Sequence, residues 1–324
     1  MRLVRLVLTV LLAPPLFLGA TLCAGAAAAA HMGRESLRFD ILAHFAPFWL
    51  TGGLLAVFGA LLFRGYVRAL IFAMGLVAAG ASVALMAPEY LRDAGPKAPP
   101  NAPEQLKVVQ LNVWSHNEDP AGALGWAFSE NPDLIILEET SAAVRERAAV
   151  EPGWYAVCDT CEVMILSRRP PVRDSLIRLA GPTPGPLTRA IFEDERGPFA
   201  VIGVHHAWPT DSSDQQAQEA AIAEVIARSP RERTILAGDF NSAPWSFSRR
   251  RWDAEFGLIR RDRGLFSWPA QPYKQLRWLG RFPFLPIDHV YAGSGWATVS
   301  VRRGPKLGSD HYPIVMILSP ASPR

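Results

Sequence analysis

Two apolar runs without a fixed charge set the first limit on what this chain can fold into. They cover residues 41–63 and 69–87, and His44 is the one titratable group in them. Each is close to the roughly 20 residues that a helix needs to cross a hydrocarbon layer. Backbone groups inside lipid have to bond within their own segment, so both runs are expected as helices. Gly52, Gly53, Gly59, Gly75 and Gly80 would let such helices approach closely.

A third run covers residues 3–30. Arg2 and Arg5 open it and small residues from Ala24 to Ala30 close it. That pattern fits a retained signal anchor or a cleaved secretory signal. Pro14-Pro15 would kink a spanning helix. The count is therefore two or three transmembrane helices. Both readings put the remainder of the chain outside the cytoplasm and the short loop with Arg64 and Arg68 inside, as positive charge prefers. Arg34 and Arg38 run against that preference.

Organisation follows from composition. Residues 1–87 are the membrane-spanning region. Residues 88–105 hold Pro96, Pro99, Pro100 and Pro103, which deny helix and favour an extended spacer. Residues 106–319 have ordinary globular composition and the size of one large domain. From residue 104 onward, 25 Lys+Arg face 26 Asp+Glu, which argues against a surface built for tight nonspecific nucleic-acid binding. Between Arg249 and Lys306 the balance is 12 basic to 4 acidic residues. Such a stretch is open to an anionic substrate or to a solvated basic surface. Cys158 and Cys161 form C-x-x-C in a turn; an oxidising compartment would permit a small disulfide loop there, and a pair of unbonded structural thiols is the alternative. Two cysteines alone are too few for a zinc site.

Short apolar or β-branched runs predict strands at 106–112, 134–137, 163–167, 190–193, 199–205, 234–237, 287–291 and 312–318. Helical spacing predicts helices at 119–131, 140–150 and 213–229. The order begins βαβα and then becomes strand-rich. Two packed sheets flanked by helices satisfy that order better than a simple doubly wound sheet.

Six of these strands deliver a residue with chemistry at one terminus. They deliver Asn112, Glu139, His205 with His206 beside it, Asp239 and Asn241, Asp288, and Asp310 with His311. A phosphodiester repels hydroxide, and a hard cation held by carboxylates and water offsets that charge. Glu139 is the first metal-ligand candidate, with Asp310 and Asn112 in support. Asp239 suits a base acting on water, and Asn241 a donor to developing charge. His311, oriented by Asp288, and His205 suit contacts to phosphate. His116, His289 and His44 read as structural. Trp208 and the run Phe266-Ser267-Trp268 are candidates to wall the cleft.

The pieces Leu111-Asn112, Pro132–Glu139, Val204-His205, Gly238-Asp239-Phe240-Asn241, Ile287–Val290 and Ser309–Pro313 resemble, in order and spacing, the endonuclease/exonuclease/phosphatase superfamily of deoxyribonuclease I-like proteins. The resemblance covers residues 106–318. It implies a four-layer α/β sandwich and dependence on Mg²⁺ or Mn²⁺. It also implies metal binding by Glu139, nucleophile and transition-state roles for Asp239 and Asn241, an acid–imidazole pair in Asp288 and His311, and Asp310 near the metal. Glu138 stands where many members carry glutamine, and Trp114 where some nucleases carry a second aspartate.

The expectation is a membrane-anchored, metal-dependent phosphoester hydrolase acting on nucleic acid or another phosphodiester at the cell envelope. One alternative is a lipid-headgroup phosphodiesterase of the sphingomyelinase type, for which the bilayer supplies proximity. Another is a catalytically silent envelope domain that binds a partner.

Overall fold

The computed structural model describes residues 2–172, 185–272 and 282–321, and the chain forms two compact units. Residues 1–92 together with 243–250 make the first; residues 93–242 together with 251–324 make the second.

The first unit contains α1 (Arg2–Ala30), α2 (Leu37–His44), α3 (Ala46–Gly59) and α4 (Gly65–Leu91). The spans Thr9–Arg34 and Gly65–Leu91 are long and apolar enough to cross a membrane. The run at 41–63 is not one straight helix. It divides into α2 and a continuation through Leu62, bent by 60°. Pro47 explains the break: it lies in the first turn of α3, lacks an N–H, and restricts the residue before it. Pro14 and Pro15 lie within α1, which continues through them. Helices α3 and α4 approach closely where both carry glycine. A Cβ on Gly75 would fall 2.8 Å from the Gly53 carbonyl oxygen. Segment 243–250 packs within this unit. The Phe247 ring has the guanidinium carbons of Arg34 and Arg250 each 5.3 Å from its centroid, and His31 edge-on at 6.4 Å.

The second unit is built on β1 (Leu106–Asn112), α5 (Pro120–Ser129), β2 (Leu134–Glu138), α6 (Ala142–Ala149), β3 (Tyr155–Val157), β4 (Met164–Ser167), β5 (Leu187–Asp194), β6 (Gly197–His205), α7 (Ser212–Ala227) and β7 (Thr234–Asp239). After α8 (Phe247–Phe256) come β8 (Ile259–Arg260), β9 (Asp288–Ala292), β10 (Trp296–Arg303) and β11 (Ile314–Pro320). The first sheet runs β10-β11-β1-β2-β4-β3 and the second β5-β6-β7-β9-β8. Alternate residues of the two sheets, among them Val108, Ile136, Val201, Ile235 and Met316, form the core between them. Helices α5 and α6 cover the outer face of the first sheet through Leu124, Ala127 and Val144. Ile222, Val225 and Ile226 of α7, with Phe256, cover the second. The result is helix, sheet, sheet, helix.

Strands β3, β8 and β10 and helix α8 were not expected from the sequence. The first two are short, and β10 and α8 carry too many charged or polar residues to register as apolar runs. The basic stretch is not simply a solvated surface. Arg260 is buried on Asp253 at 2.9 Å, and Arg261 is buried among the carbonyls of Ala292, Gly293 and Trp296. Lys274, Arg277 and Arg281 lie outside the described residues.

Register sets out the chemistry. His205 pairs with Asp239 across β6–β7, and Asp239 with Asp288 across β7–β9. Asn112 pairs with Glu138 across β1–β2, so Glu139 is the first residue beyond that strand end.

Candidate active site

Asn112 ties the two sheets together. Its Nδ2 donates to Glu139 Oε1 at 3.0 Å and to Asp239 Oδ2 at 3.1 Å, and its Oδ1 accepts the Trp114 N–H at 2.9 Å. The Ser115 N–H donates to Glu139 Oε2 at 2.9 Å. Burial works against the Glu139 charge, yet the Ser115 N–H and the Asn112 amide hold its carboxyl below the usual range. Trp114, Glu139 and Asn241 all have left-handed backbone, with φ of 64°, 53° and 47°. Such residues are sparse and concentrate where a site over-determines its geometry.

Asp239 sits at the centre. Its Oδ1 accepts the Asn241 N–H at 2.8 Å, and Oδ2 lies 3.4 Å from His311 Nε2 and 3.8 Å from His205 Nε2. Burial raises its carboxyl to about 6, and the Asp288 charge adds to this against the pull of the two imidazoles. His311 Nδ1 donates to Asp288 Oδ2 at 2.8 Å. Burial disfavours an imidazolium there, but Asp288 and Asp239 outweigh it and hold His311 well above its ordinary value. The Asp288 carboxyl is depressed: burial opposes its charge and the His311 imidazolium overcomes the penalty.

Asp310 accepts the Trp268 indole N–H at 3.0 Å through Oδ2, and its buried Oδ1 has no hydrogen-bond partner. Burial raises its carboxyl. Trp268 in turn meets the exposed Trp208 edge-on, with ring centroids 6.4 Å apart. Asn241 Nδ2 donates to the His206 carbonyl at 2.8 Å. His205 Nδ1 faces Glu162 Oε1 at 3.2 Å and its Nε2 lies 3.8 Å from Glu139 Oε1. Glu162, Asp239 and Glu139 raise His205 against the burial penalty. Glu162 was not singled out from the sequence, since it lies in the turn after the C-x-x-C and ends no apolar run. Cys158 and Cys161 are disulfide-bonded.

Glu139, His205, Asp239, Asn241, Asp310 and His311 all line one cleft of about 330 Å³, with Trp114, Trp208 and Trp268 on its walls. Asp288 lies behind it under His311. His289 is buried between Asp262 and the Ser242 carbonyl, and His116 lies on the cleft wall beside Trp114. Glu138 is buried beneath the cleft. Gln110 Nε2 donates to Glu138 at 3.0 Å and to Asp288 at 2.9 Å. Burial, then the Asp288 charge, push the Glu138 carboxyl well above the usual range.

Among the described residues, Asp239, Asp288 and His311 form a candidate metal-binding trio with ligand atoms within 4.8 Å of one another. The wider donor set fits a hard divalent cation. It is carboxylate-rich, without thiolate, and includes Asp310 Oδ1, which accepts no hydrogen bond and lies 4.0 Å from His311 Nε2.

No curated protein sequence matches the chain. Among solved structures, similar folds include a functionally unknown conserved protein from Enterococcus faecalis V583 (15% identity, TM-score 0.52, covering 67% of this chain and 100% of that one). D. rerio TDP2 complexed with single strand DNA product is similar at 15% identity and TM-score 0.51, covering 67% and 99%. A humanized D. rerio TDP2 follows at 16% identity and TM-score 0.50, covering 66% and 99%. These likenesses concern the fold. The family model described as "Endonuclease/Exonuclease/phosphatase family" matches residues 109–311, more than half of the chain, and the chain belongs to that family.

Proposed function

We propose that the protein is a metal-dependent phosphodiesterase held in a membrane, with its catalytic unit on the non-cytoplasmic side. The observation that carries this reading is the convergence of Glu139, Asp239, Asp310 and His311 on one cleft, with Asp288 holding His311 from behind. Glu139 and Asp310 would hold Mg²⁺ or Mn²⁺, and Asn112 ties Glu139 to Asp239. When bound, the cation supplies charge neutralisation of the phosphate and lowers the pKa of water.

The chain's own residues do the rest. Asp239, with a carboxyl near 6, is a base matched to neutral pH and takes the proton of the attacking water. His311, kept cationic by Asp288, donates to a phosphate oxygen. His205 donates to the same phosphate from the other side of Asp239. Asn241 lines the cleft beside Asp239 and supports charge developing on phosphorus-bound oxygens.

A non-cytoplasmic catalytic unit agrees with the contacts of Phe247. His31 and Arg34, in the turn after α1, touch this residue of the chain downstream of α4. In this reading the two segments share one side of a bilayer, where Arg34 stacks on the Phe247 ring. A lipid-headgroup diester is the second reading, favoured by the membrane-length helices and the exposed Trp208 at the cleft. A silent binding domain has no use for a base near 6 beside a cationic imidazole.

The test is hydrolysis of bis(4-nitrophenyl) phosphate by the full chain in detergent, with Mg²⁺ or with chelator. Activity that needs the cation and disappears in Asp239→Ala is expected; activity indifferent to both would sink the proposal. Single-stranded DNA and phospholipid vesicles, supplied to the same preparation, separate the two substrate classes.

A further inference from the structure

Helix α7 buries two kinds of side chain. In its C-terminal half Ile222, Val225 and Ile226 pack on the second sheet. One and two turns earlier the same face carries Gln215, Gln218 and Glu219, which are 7%, 9% and 2% exposed. Leucine at 215 and 218 would continue the apolar stripe. The amides bring directed hydrogen bonds instead, and amides this deeply buried persist only with partners.

The partners lie at two strand ends of the active site. Gln215 Nε2 donates to the Ala207 carbonyl and to Ser242 Oγ, each at 3.1 Å, and to the Phe240 carbonyl at 3.4 Å. Gln218 Oε1 accepts the Ala207 N–H at 2.7 Å. Glu219 Oε1 lies 3.5 Å from His206 Nδ1. Gly185 leaves room for the Gln218 amide, since a Cβ there would overlap its Nε2.

Ala207, two residues beyond His205, is thus held through both of its backbone groups. Phe240 and Ser242, on either side of Asn241, are held by one side chain. Two further bonds join the strand ends directly. The His206 N–H donates to the Asp239 carbonyl at 2.8 Å, and Asn241 Nδ2 donates to the His206 carbonyl at 2.8 Å. Asn241 has φ 47°. A non-glycine residue keeps that conformation only while its neighbours enforce it.

We propose that Gln215 and Gln218 are positioning residues for the reaction: they fix the chain after β6 against the chain after β7, and so set His205 in its place beside Asp239 and Asn241. The kinetic consequence rests on the phosphodiesterase reading, and the brace on geometry alone.

The experiment compares the unmodified full chain in detergent with Gln215→Met, Gln218→Met, Gln218→Glu and, as a control on the exposed side of α7, Gln216→Met. It measures kcat and KM for bis(4-nitrophenyl) phosphate with Mg²⁺, and hydrogen exchange of peptides covering 204–210. Methionine keeps the volume and removes the amide. Gln215→Met and Gln218→Met should each lose about tenfold in kcat with KM within about twofold, because small displacements of reacting groups are costly. Gln218→Met should also lose protection at 204–210. Gln218→Glu keeps an acceptor for the Ala207 N–H and should recover most of both, and Gln216→Met should match the unmodified chain. Should Gln215→Met fail to fold, Gln218→Met, which removes only the bond to the Ala207 N–H, carries the test with its glutamate counterpart. Unchanged protection in Gln218→Met overturns the brace. Lost protection with unchanged kcat overturns its part in the reaction, as does an equal loss of kcat in Gln216→Met or in Gln218→Glu. No hydrolysis by the unmodified chain overturns the phosphodiesterase reading and the kinetic role with it, and exchange still decides the brace.

Discussion

Asp288 Oδ2 accepts a 2.8 Å hydrogen bond from His311 Nδ1, and both side chains are buried. The bond has two consequences. It fixes the ring so that Nε2 faces the cleft beside Asp239. It also helps keep the ring cationic where burial alone would neutralise it.

Asp288→Asn keeps the shape and removes the charge. The His311 pKa then falls, because the burial penalty remains while its largest compensation is gone. The expected result is a loss of about a hundredfold in kcat. The remaining activity should decline on the alkaline side at lower pH than in the unmodified protein. A pH profile of kcat in both proteins checks this. An unshifted alkaline limb in the variant would count against a cationic role for His311.

Asp239 predicts a trade between stability and activity. Its native carboxyl is raised from 3.8 to about 6, so the folded state prefers it protonated. That contribution is fully present below about pH 4 and is lost as pH rises through 6. Above this the buried charge costs on the order of 3 kcal/mol in the metal-free protein. Asp239→Asn removes the cost along with the base. With chelator present, the variant should melt higher than the unmodified protein at pH 7.5. The difference should vanish near pH 4, and the variant should be inactive. Thermal melts between pH 4 and 8 check the sign; a gap constant across that range would refute it.

Much of this site was legible because its residues end apolar strands. Thr234–Asp239 is a buried run whose last residue is the central carboxylate, and the same rule found Asn112 and His205, while Asp288 opens β9. The rule depends on local contrast between apolar and polar, and fails where contrast is absent. Glu162 belongs to a turn, and its relation to His205 arises when β6 is laid beside the first sheet's loops. Glu138 is the last residue of β2 and points into the core beneath the cleft, and the left-handed backbone at Glu139 turns the next carboxylate into the cleft itself. Asp40 accepts the Phe247 and Ser248 N–H groups, more than 200 residues away, and no pattern in the sequence around it refers to them.

The disulfide loop makes the last prediction. The Thr140 N–H donates to the Glu162 carbonyl at 3.2 Å, and the Thr140 hydroxyl bonds the Cys161 carbonyl. Thr140 directly follows Glu139, and Glu162 directly follows Cys161. The bridge between Cys158 and Cys161 therefore braces two carboxylates of the cleft, Glu139 on Asn112 and Glu162 on His205. Glu162 helps hold His205 above its ordinary pKa against burial, so Glu162→Gln should lower it. If His205 acts as a cation, the alkaline fall of kcat/KM then begins at lower pH. Reduction by a dithiol, or the Cys158→Ser/Cys161→Ser pair, frees the turn and should give the same shift with smaller amplitude. The check is one set of pH profiles for oxidised, reduced and Glu162→Gln protein. A shift in Glu162→Gln without one on reduction would leave Glu162 its role and deny the bridge any part in it.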